Sequence, residues 1–260
     1  MLGDSVRRVD VSPEDPLFER IGEIARSRRD PFFLSSSVHR AYSSQELTEA
    51  EAFCWSIESR FEPTGAECGT VYDLSSACPE CGTGRVQQSV LRLDLSRIPK
   101  KDVAMSIGGE VVVSERFARS LQGMAATGLE LRPVEDSRRR IRRPAQRRFQ
   151  LVALPPPMPV RSPPTTFGKN PFDLDESGEY RCSLGHIAGL NRLTEVTLSR
   201  NDWSPDRDLT ATREHTGWPS WHRIGSLLVP EPLWIISPRL YALIHDERIT
   251  GSRVEVDFLR

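Results

Sequence analysis

Four side chains in this sequence have the types and spacing to hold one metal ion. Cys78 and Cys81 stand in Cys78-Pro79-Glu80-Cys81-Gly82, a turn whose proline shapes the entry and whose glycine lets backbone amides fold back toward sulfur. Cys182 and His186 stand in Cys182-Ser183-Leu184-Gly185-His186, a second tight turn with a thiolate and an imidazole. Together they make a Cys₃His set, a closed tetrahedral composition for structural Zn²⁺ that leaves no position for water or substrate. Soft thiolates argue against magnesium or calcium. Cys68, in Glu67-Cys68-Gly69, is the substitute ligand should His186 not bind, and Cys54 reads as a small buried apolar residue. A redox role for Cys78 and Cys81 needs a helix opening after the pair to lower one thiol pKa. Gly82-Thr83-Gly84 makes that helix a poor expectation. A closed zinc acts through stability, contributing on the order of 10 kcal/mol in small domains, comparable with the net stability of a whole domain.

The two turns lie far apart in the chain, so some architecture must bring them together. An internal repeat supplies it. VVVSERFARSLQGMAATGLEL (111–131) aligns without gaps on WIISPRLYALIHDERITGSRV (234–254), pairing Ser114 with Ser237, Arg116 with Arg239, Phe117 with Leu240, Leu121 with Ile244, and Thr127-Gly128 with Thr250-Gly251. Each copy reads as strand, capped helix, strand. A β-branched run enters, a serine hydroxyl satisfies the first free helix amides, and Pro238 suits the first helical position. Phe117, Leu121 and Met124 form one apolar face, matched by Leu240, Leu243 and Ile244. Gly128 and Gly251 supply a positive φ after the helix. A cysteine motif precedes each copy.

Elsewhere, the spacing of Leu17 to Arg26 predicts an amphipathic helix, and a second is expected from Ser44 to Arg60, with Ser44 as cap and Leu47, Ala50, Cys54 and Ile57 on one face. Residues 89–95 (SVLRLDL) alternate as a half-buried strand does. Seven arginines fall between 137 and 148 and six prolines between 154 and 164. Proline fixes φ and removes amide donors, so the second stretch is expected to run extended over a surface. The expected organisation is therefore an N-terminal helical segment (1–65), a first knuckle and β-α-β half (66–136), an Arg/Pro-rich connection (137–165) and a second knuckle and β-α-β half (166–260). The fold class is α+β, two related β-α-β-containing halves joined through a zinc-knuckle pair.

With 260 residues, 38% of them hydrophobic, the chain can bury a substantial core, and its net charge of −1 projects no global field toward nucleic acid or membrane. The apolar run from Leu227 to Ile236 is broken by Pro230, Glu231 and Pro232 and is too short to span a bilayer. The N-terminus lacks the apolar stretch of a signal peptide. Five cysteines are too few for a secreted disulfide framework, so a cytoplasmic location is expected. The Arg run is read as solvated or partner-facing, with a nucleic-acid-binding strip as its alternative. His215, Trp218, Trp221 and His222 read as buried anchors with surface histidines, or else as a catalytic or binding loop. Asp173, Asp175, Glu176 and Glu179 lack calcium-loop spacing.

CPECG at 78–82, CSLGH at 182–186, and the elements VVVSERFARSL and LWIISPRLYALI ending in Thr-Gly resemble the double-CXXCG-motif proteins of myxobacteria and relatives. Some of these are immunity proteins of swarm-inhibition polymorphic toxin systems. The likeness covers roughly residues 70–260, and the second motif departs from it, with a histidine and one more intervening residue. It implies a protein that binds and neutralises a cognate toxin, with no enzymatic activity and no catalytic residues. The alternatives are a zinc-containing nucleic-acid binder using residues 137–148, or an enzyme without a recognisable motif.

Overall fold

The computed structural model describes residues 9–27, 38–79, 82, 84–138, 147–168, 179–181, 187–189, 191–192, 194–216 and 231–260. Helix α1 (Pro16–Ser27) opens where the Asp15 carboxylate accepts the Leu17 amide at 2.8 Å, which satisfies a free first-turn donor. Helix α2 (Ser44–Glu49) opens on a capping box: the Ser43 hydroxyl accepts the Glu46 amide at 3.2 Å and the Glu46 carboxylate accepts the Ser43 amide at 2.7 Å. It stops there. The expected helix to Arg60 is wrong, because residues 52–57 form strand β1 (Ala52–Ile57). Phe53, Trp55 and Ile57 face one side and Ala52 and Cys54 the other, and all five are buried. A run apolar on both faces and rich in aromatic and β-branched residues suits a central strand, and its helical spacing was coincidental.

Short strands follow: β2 (Arg60–Phe61), β3 (Tyr72–Asp73), β4 (Val86–Gln87) and β5 (Arg92–Leu93). The strand expected over 89–95 thus shrinks to two residues. Next come β6 (Val103–Ser106), β7 (Val111–Ser114), α3 (Glu115–Gly123), β8 (Leu129–Pro133), β9 (Glu135–Asp136) and β10 (Arg148–Ala153). Then follow β11 (Phe167–Gly168), β12 (Glu179–Arg181), β13 (Ile187–Gly189), β14 (Asn191–Arg192), β15 (Thr197–Leu198) and β16 (Leu209–Thr216). The chain closes with β17 (Glu231–Ile236), α4 (Pro238–Asp246) and β18 (Ser252–Leu259). The class is α+β, with many strands and few helices.

Two sheets carry the body, ordered β12-β13-β16-β17-β1-β18-β15 and β2-β6-β7-β10-β8. In the first, β1 runs antiparallel between β17 and β18, with Phe53 opposite Ile236 and Val256. In the second, β10 runs antiparallel between β7 and β8, with Phe149 opposite Val113 and Pro133. Within residues 1–65, β1 supplies a central strand to the C-terminal sheet, and within 137–165, β10 completes the other sheet. The proline stretch is not wholly superficial: Met158 and Val160 are buried beside Cys54, Leu198 and Ile235.

Both helices pack on one core. Phe117 and Leu121 from α3, Leu240 and Ile244 from α4, and Phe53, Trp55, Val103, Val113, Leu209 and Ile236 from the strands share it. Each fully buried side chain of this kind contributes roughly 1.5–3 kcal/mol. Both helices start as the sequence indicates. Ser114 Oγ accepts the Phe117 amide and Ser237 Oγ the Leu240 amide, each at 3.1 Å, and Pro238 occupies the first turn. Gly128 and Gly251 take φ of 75° and 102°. A Cβ at Gly128 would lie 2.2 Å from the Leu209 carbonyl oxygen, and one at Gly251 2.1 Å from that of Val103. Glycine is needed there both for its φ and for the close approach. Among the described residues, no helix is long and apolar enough to cross a membrane.

Candidate functional site

Strands β3 and β4 pair antiparallel as a ribbon whose connection carries the first cysteine turn. The Asp73 carboxylate accepts the Ser75 amide at 2.8 Å, the Leu74 carbonyl accepts the Ala77 amide at 3.0 Å, and Ser76 Oγ donates to the Gly84 carbonyl at 2.9 Å. Within this loop Cys78 is 3% exposed and its carbonyl accepts the Gly82 amide at 2.8 Å, with Gly82 at φ 73°. Cys81, Cys182 and His186 lie outside the described residues, so one of the four expected ligands is described. The second motif falls between Arg181 and Ile187, which face each other across the antiparallel pair β12 and β13. Both motifs thus interrupt antiparallel pairs. Among the described residues, no three His, Cys, Asp or Glu side chains are grouped to hold a metal.

The other cysteines separate by environment. Cys68 is half-buried in a turn where Glu67 Oε2 accepts the Thr64 amide at 2.7 Å and the Thr64 carbonyl accepts the Cys68 amide at 3.1 Å. Cys54 is fully buried on β1 rather than on a helix, and burial pushes its thiol up to about 12. It stays protonated and apolar at neutral pH.

A polar cluster fastens the ribbon to the body. The Tyr72 hydroxyl donates to Glu110 Oε1 at 2.6 Å, Ser106 Oγ donates to the other Glu110 oxygen, and Arg85 donates to the Gly108 carbonyl while lying 4.9 Å from the Tyr72 ring centre. Burial and the facing Glu110 carboxylate raise the Tyr72 pKa, so the phenol remains a donor. Arg60 contacts both Glu231 oxygens at 2.8 Å. Burial nevertheless raises the Glu231 pKa. No local motif marks this cluster, whose members come from separate stretches of chain.

Two aspartates form matched clasps. Asp102 accepts from Ser114 Oγ at 2.9 Å, from Arg116 Nε at 3.1 Å and Nη2 at 2.6 Å, and from the Thr250 amide at 3.1 Å and hydroxyl at 2.9 Å. Asp208 accepts from Ser237 Oγ at 2.8 Å, from Arg239 Nε at 3.0 Å and also Nη2, and from the Thr127 amide at 2.8 Å and hydroxyl at 3.2 Å. Each arginine also donates to a carbonyl at the end of the other helix, Arg116 to Glu247 at 3.1 Å and Arg239 to Met124 at 3.0 Å. Burial works to raise Asp102, but its donors outweigh that and hold it at about 2. The same balance lowers Asp208. The aligned Ser, Arg and Thr-Gly positions marked these sites, but the aspartates lie outside the aligned segments.

On the far face of β18, Glu255 and Asp257 are buried beside Cys54. Three guanidinium groups converge on Glu255: Arg40 at 2.9 Å, Arg253 at 3.0 Å and Arg192, which donates directly. Arg40 also meets Glu195 at 3.3 Å. Burial raises the Asp257 pKa well above the usual carboxylate range, outweighing the lowering pull of Arg192 and the Val196 amide. On the other sheet, Gln87 and Gln150 exchange amide hydrogen bonds at 2.7 and 3.2 Å, and Arg132 pairs with Glu130 at 2.6 Å. Beside them a cavity of about 250 Å³ is lined by Gln87, Val90, Leu91, Arg132, Pro133 and Gln150.

The remaining expected positions divide similarly. His215 lies on β16, whereas Trp218, Trp221 and His222 lie outside the described residues, as do Asp173, Asp175 and Glu176. Glu179 opens β12. Of the Arg run, Arg138 is held bidentately by Asp136, and Arg139, Arg140, Arg142 and Arg143 lie outside the described residues. No family model matches the chain, and no curated protein matches it.

Proposed function

We propose that this chain is a zinc-stapled binding protein and, through its resemblance to the double-CXXCG proteins, a cytoplasmic immunity protein that neutralises a cognate toxin by direct binding. One observation carries the metal reading: Cys78 is buried in a loop that closes on Gly82 at positive φ, at the tip of an antiparallel ribbon. Cys81, Cys182 and His186 would complete the set. When bound, the zinc supplies charge and coordination to hold the two turns, and no chemistry. Arg85, just past the first turn, reaches Gly108 and feels Glu231 at the start of β17, so the first arm is anchored where the two sheets approach each other.

In the same reading the two β-α-β segments are related copies. Their matched caps, clasps and glycine approaches support this, as does the insertion of one foreign strand in each sheet. The protein is then a scaffold for binding, not an enzyme. The strongly depressed Asp102 carboxylate is engaged at a helix start rather than facing a cleft.

Metal analysis of protein made under reducing conditions without chelator tests the staple, with one zinc per chain expected. Finding none overturns it. Cys81→Ser is expected to lower the unfolding midpoint because metal binding is linked to folding, with toxin protection recovered at low temperature. Lost protection at unchanged stability would return the metal to a catalytic role.

A further inference from the structure

Among the described residues, the same position in the two sheets is filled in one and open in the other. Register defines the correspondence. Phe53 and Phe149 sit opposite matching residues of the aligned segments, and Tyr72 faces Gln87 on one ribbon as Phe167 faces Arg192 on the other. Cys54 thus corresponds to Gln150, Glu255 to Arg132, Arg253 to Glu130, Arg192 to Gln87 and Glu195 to Val90. On the C-terminal sheet the pair Arg253–Glu255 takes a further opposite charge: Arg40 bridges Glu255 and Glu195. Arg40 belongs to residues 38–43, which form no helix or strand, and Tyr42 lies beside it with its hydroxyl buried.

On the other sheet the sign of the pair is reversed, as Glu130–Arg132, and the place corresponding to Arg40 is the cavity between Arg132 and Val90. Val90 is 45% exposed, and Val71, Leu74 and Val86 of the same ribbon are also exposed large apolar side chains. The floor is the Gln87–Gln150 amide pair. An arginine would meet Arg132 there with like charge, whereas a carboxylate would share Arg132 with Glu130 as Arg40 shares Glu255 with Arg253.

We propose that this groove docks an irregular or extended segment of a partner protein that sets an acidic side chain on Arg132 and an apolar one against Val90. The inference rests on the reading of the chain as a binding protein and names the chemistry of what it binds. A complementary charge beside an apolar contact gives the site selectivity as well as adhesion.

The test uses the full chain and two fluorescein-labelled heptapeptides that copy residues 37–43, one with arginine and one with glutamate at the place of Arg40. Fluorescence anisotropy is expected to show the glutamate peptide binding at least about tenfold more tightly than the arginine peptide, a factor set by one favourable charge contact. Arg132→Glu should invert that order. Val90→Trp, a change at an exposed position that leaves the Arg132–Glu130 pair intact, should abolish binding of both by filling the groove. Equal binding of the two peptides overturns the proposal, as does binding that survives both substitutions. Absence of binding at millimolar peptide overturns it as well. Metal content and toxin protection are read separately, so failure of the groove and failure of the staple remain distinguishable.

Discussion

Replacing Asp208 with alanine removes one acceptor from five donors. The Asp208 side chain is 3% exposed, whereas its partner Arg239 is 53% exposed and can turn to water. A surface guanidinium released in this way accounts for little. What cannot be recovered easily are the bonds from Ser237 Oγ, itself buried, and from the Thr127 amide, both at 2.8 Å. Hydrogen bonds to a charged group are each worth roughly 1.5–3 kcal/mol. Partial rehydration at Thr127, which is exposed, brings the sum to about 3 kcal/mol. With an unfolding entropy of about 2.1 cal/mol/K per residue, that corresponds to a Tm lower by roughly 5 °C for a chain of this length.

Asp208→Ala should therefore melt about 5 °C below the parent in a thermal scan at pH 7, and Asp102→Ala by somewhat less, since Asp102 is 13% exposed. Arg119→Ala is the control. It breaks only an exposed i,i+4 pair with Glu115 and should shift Tm by less than about 1 °C. Thr127→Ala combined with Asp208→Ala should cost less than the sum of the two, because they share one contact. If Asp208→Ala is indistinguishable from Arg119→Ala, the clasp does not hold the fold.

Three further outcomes are expected. Because Asp102 is held at about 2 and Asp208 is also lowered, their stabilisation is complete above the unfolded carboxylate pKa of ~3.9 and should fade as pH falls from there toward 2; urea midpoints for the parent should drop over that window, and those for the double alanine variant should drop less. Asp257 has the opposite sign, with a raised pKa, so its burial costs stability as pH rises above ~4, and Asp257→Asn should raise the urea midpoint at pH 8 more than at pH 4. The Arg-rich stretch should give no gel shift with nucleic acid at physiological salt, in keeping with Arg138 already being held by Asp136. A clear shift that weakens steeply with added salt would instead show phosphate contacts.

The helix starts at Ser114 and Ser237 and the glycines at 128 and 251 were legible because cap chemistry and positive φ are local demands that only a few residue types satisfy. Strand β1 was not. Its apolar residues fit two periods at once, and only the slot between β17 and β18 decides between them. Asp102 and Asp208 carried no signal, since an aspartate before a strand is unremarkable until the helix end that it reaches is known. The groove was illegible for the same reason, Gln87 and Gln150 being neighbours only through sheet register. Of the metal set, the sequence marked Cys78 and Gly82 as ends of one turn; Cys78 is buried and Gly82 takes a positive φ. Pairing that turn with Cys182 and His186 remains part of the proposal.

The interlocking of the sheets bears on what a zinc staple would do. Because β1 completes the C-terminal sheet, β10 the other, and each clasp ties one helix start to the end of the second helix, the body is already cross-braced by contacts distant in sequence. The ribbon of β3 and β4 is different. Its strands are two residues each, and a two-stranded ribbon is marginal on its own in water. It depends on Tyr72, Arg85 and whatever closes its loop. On the proposed reading, metal at Cys78 and Cys81 therefore steadies the arm more than the body. Gln87 to Leu91, which leave that arm on its returning side, form one wall of the groove facing Arg132. Loss of the metal should thus melt the arm below the core and blunt binding at the groove in proportion to the unfolded arm, a loss recovered at low temperature, which couples a structural zinc to recognition without giving it any part in chemistry.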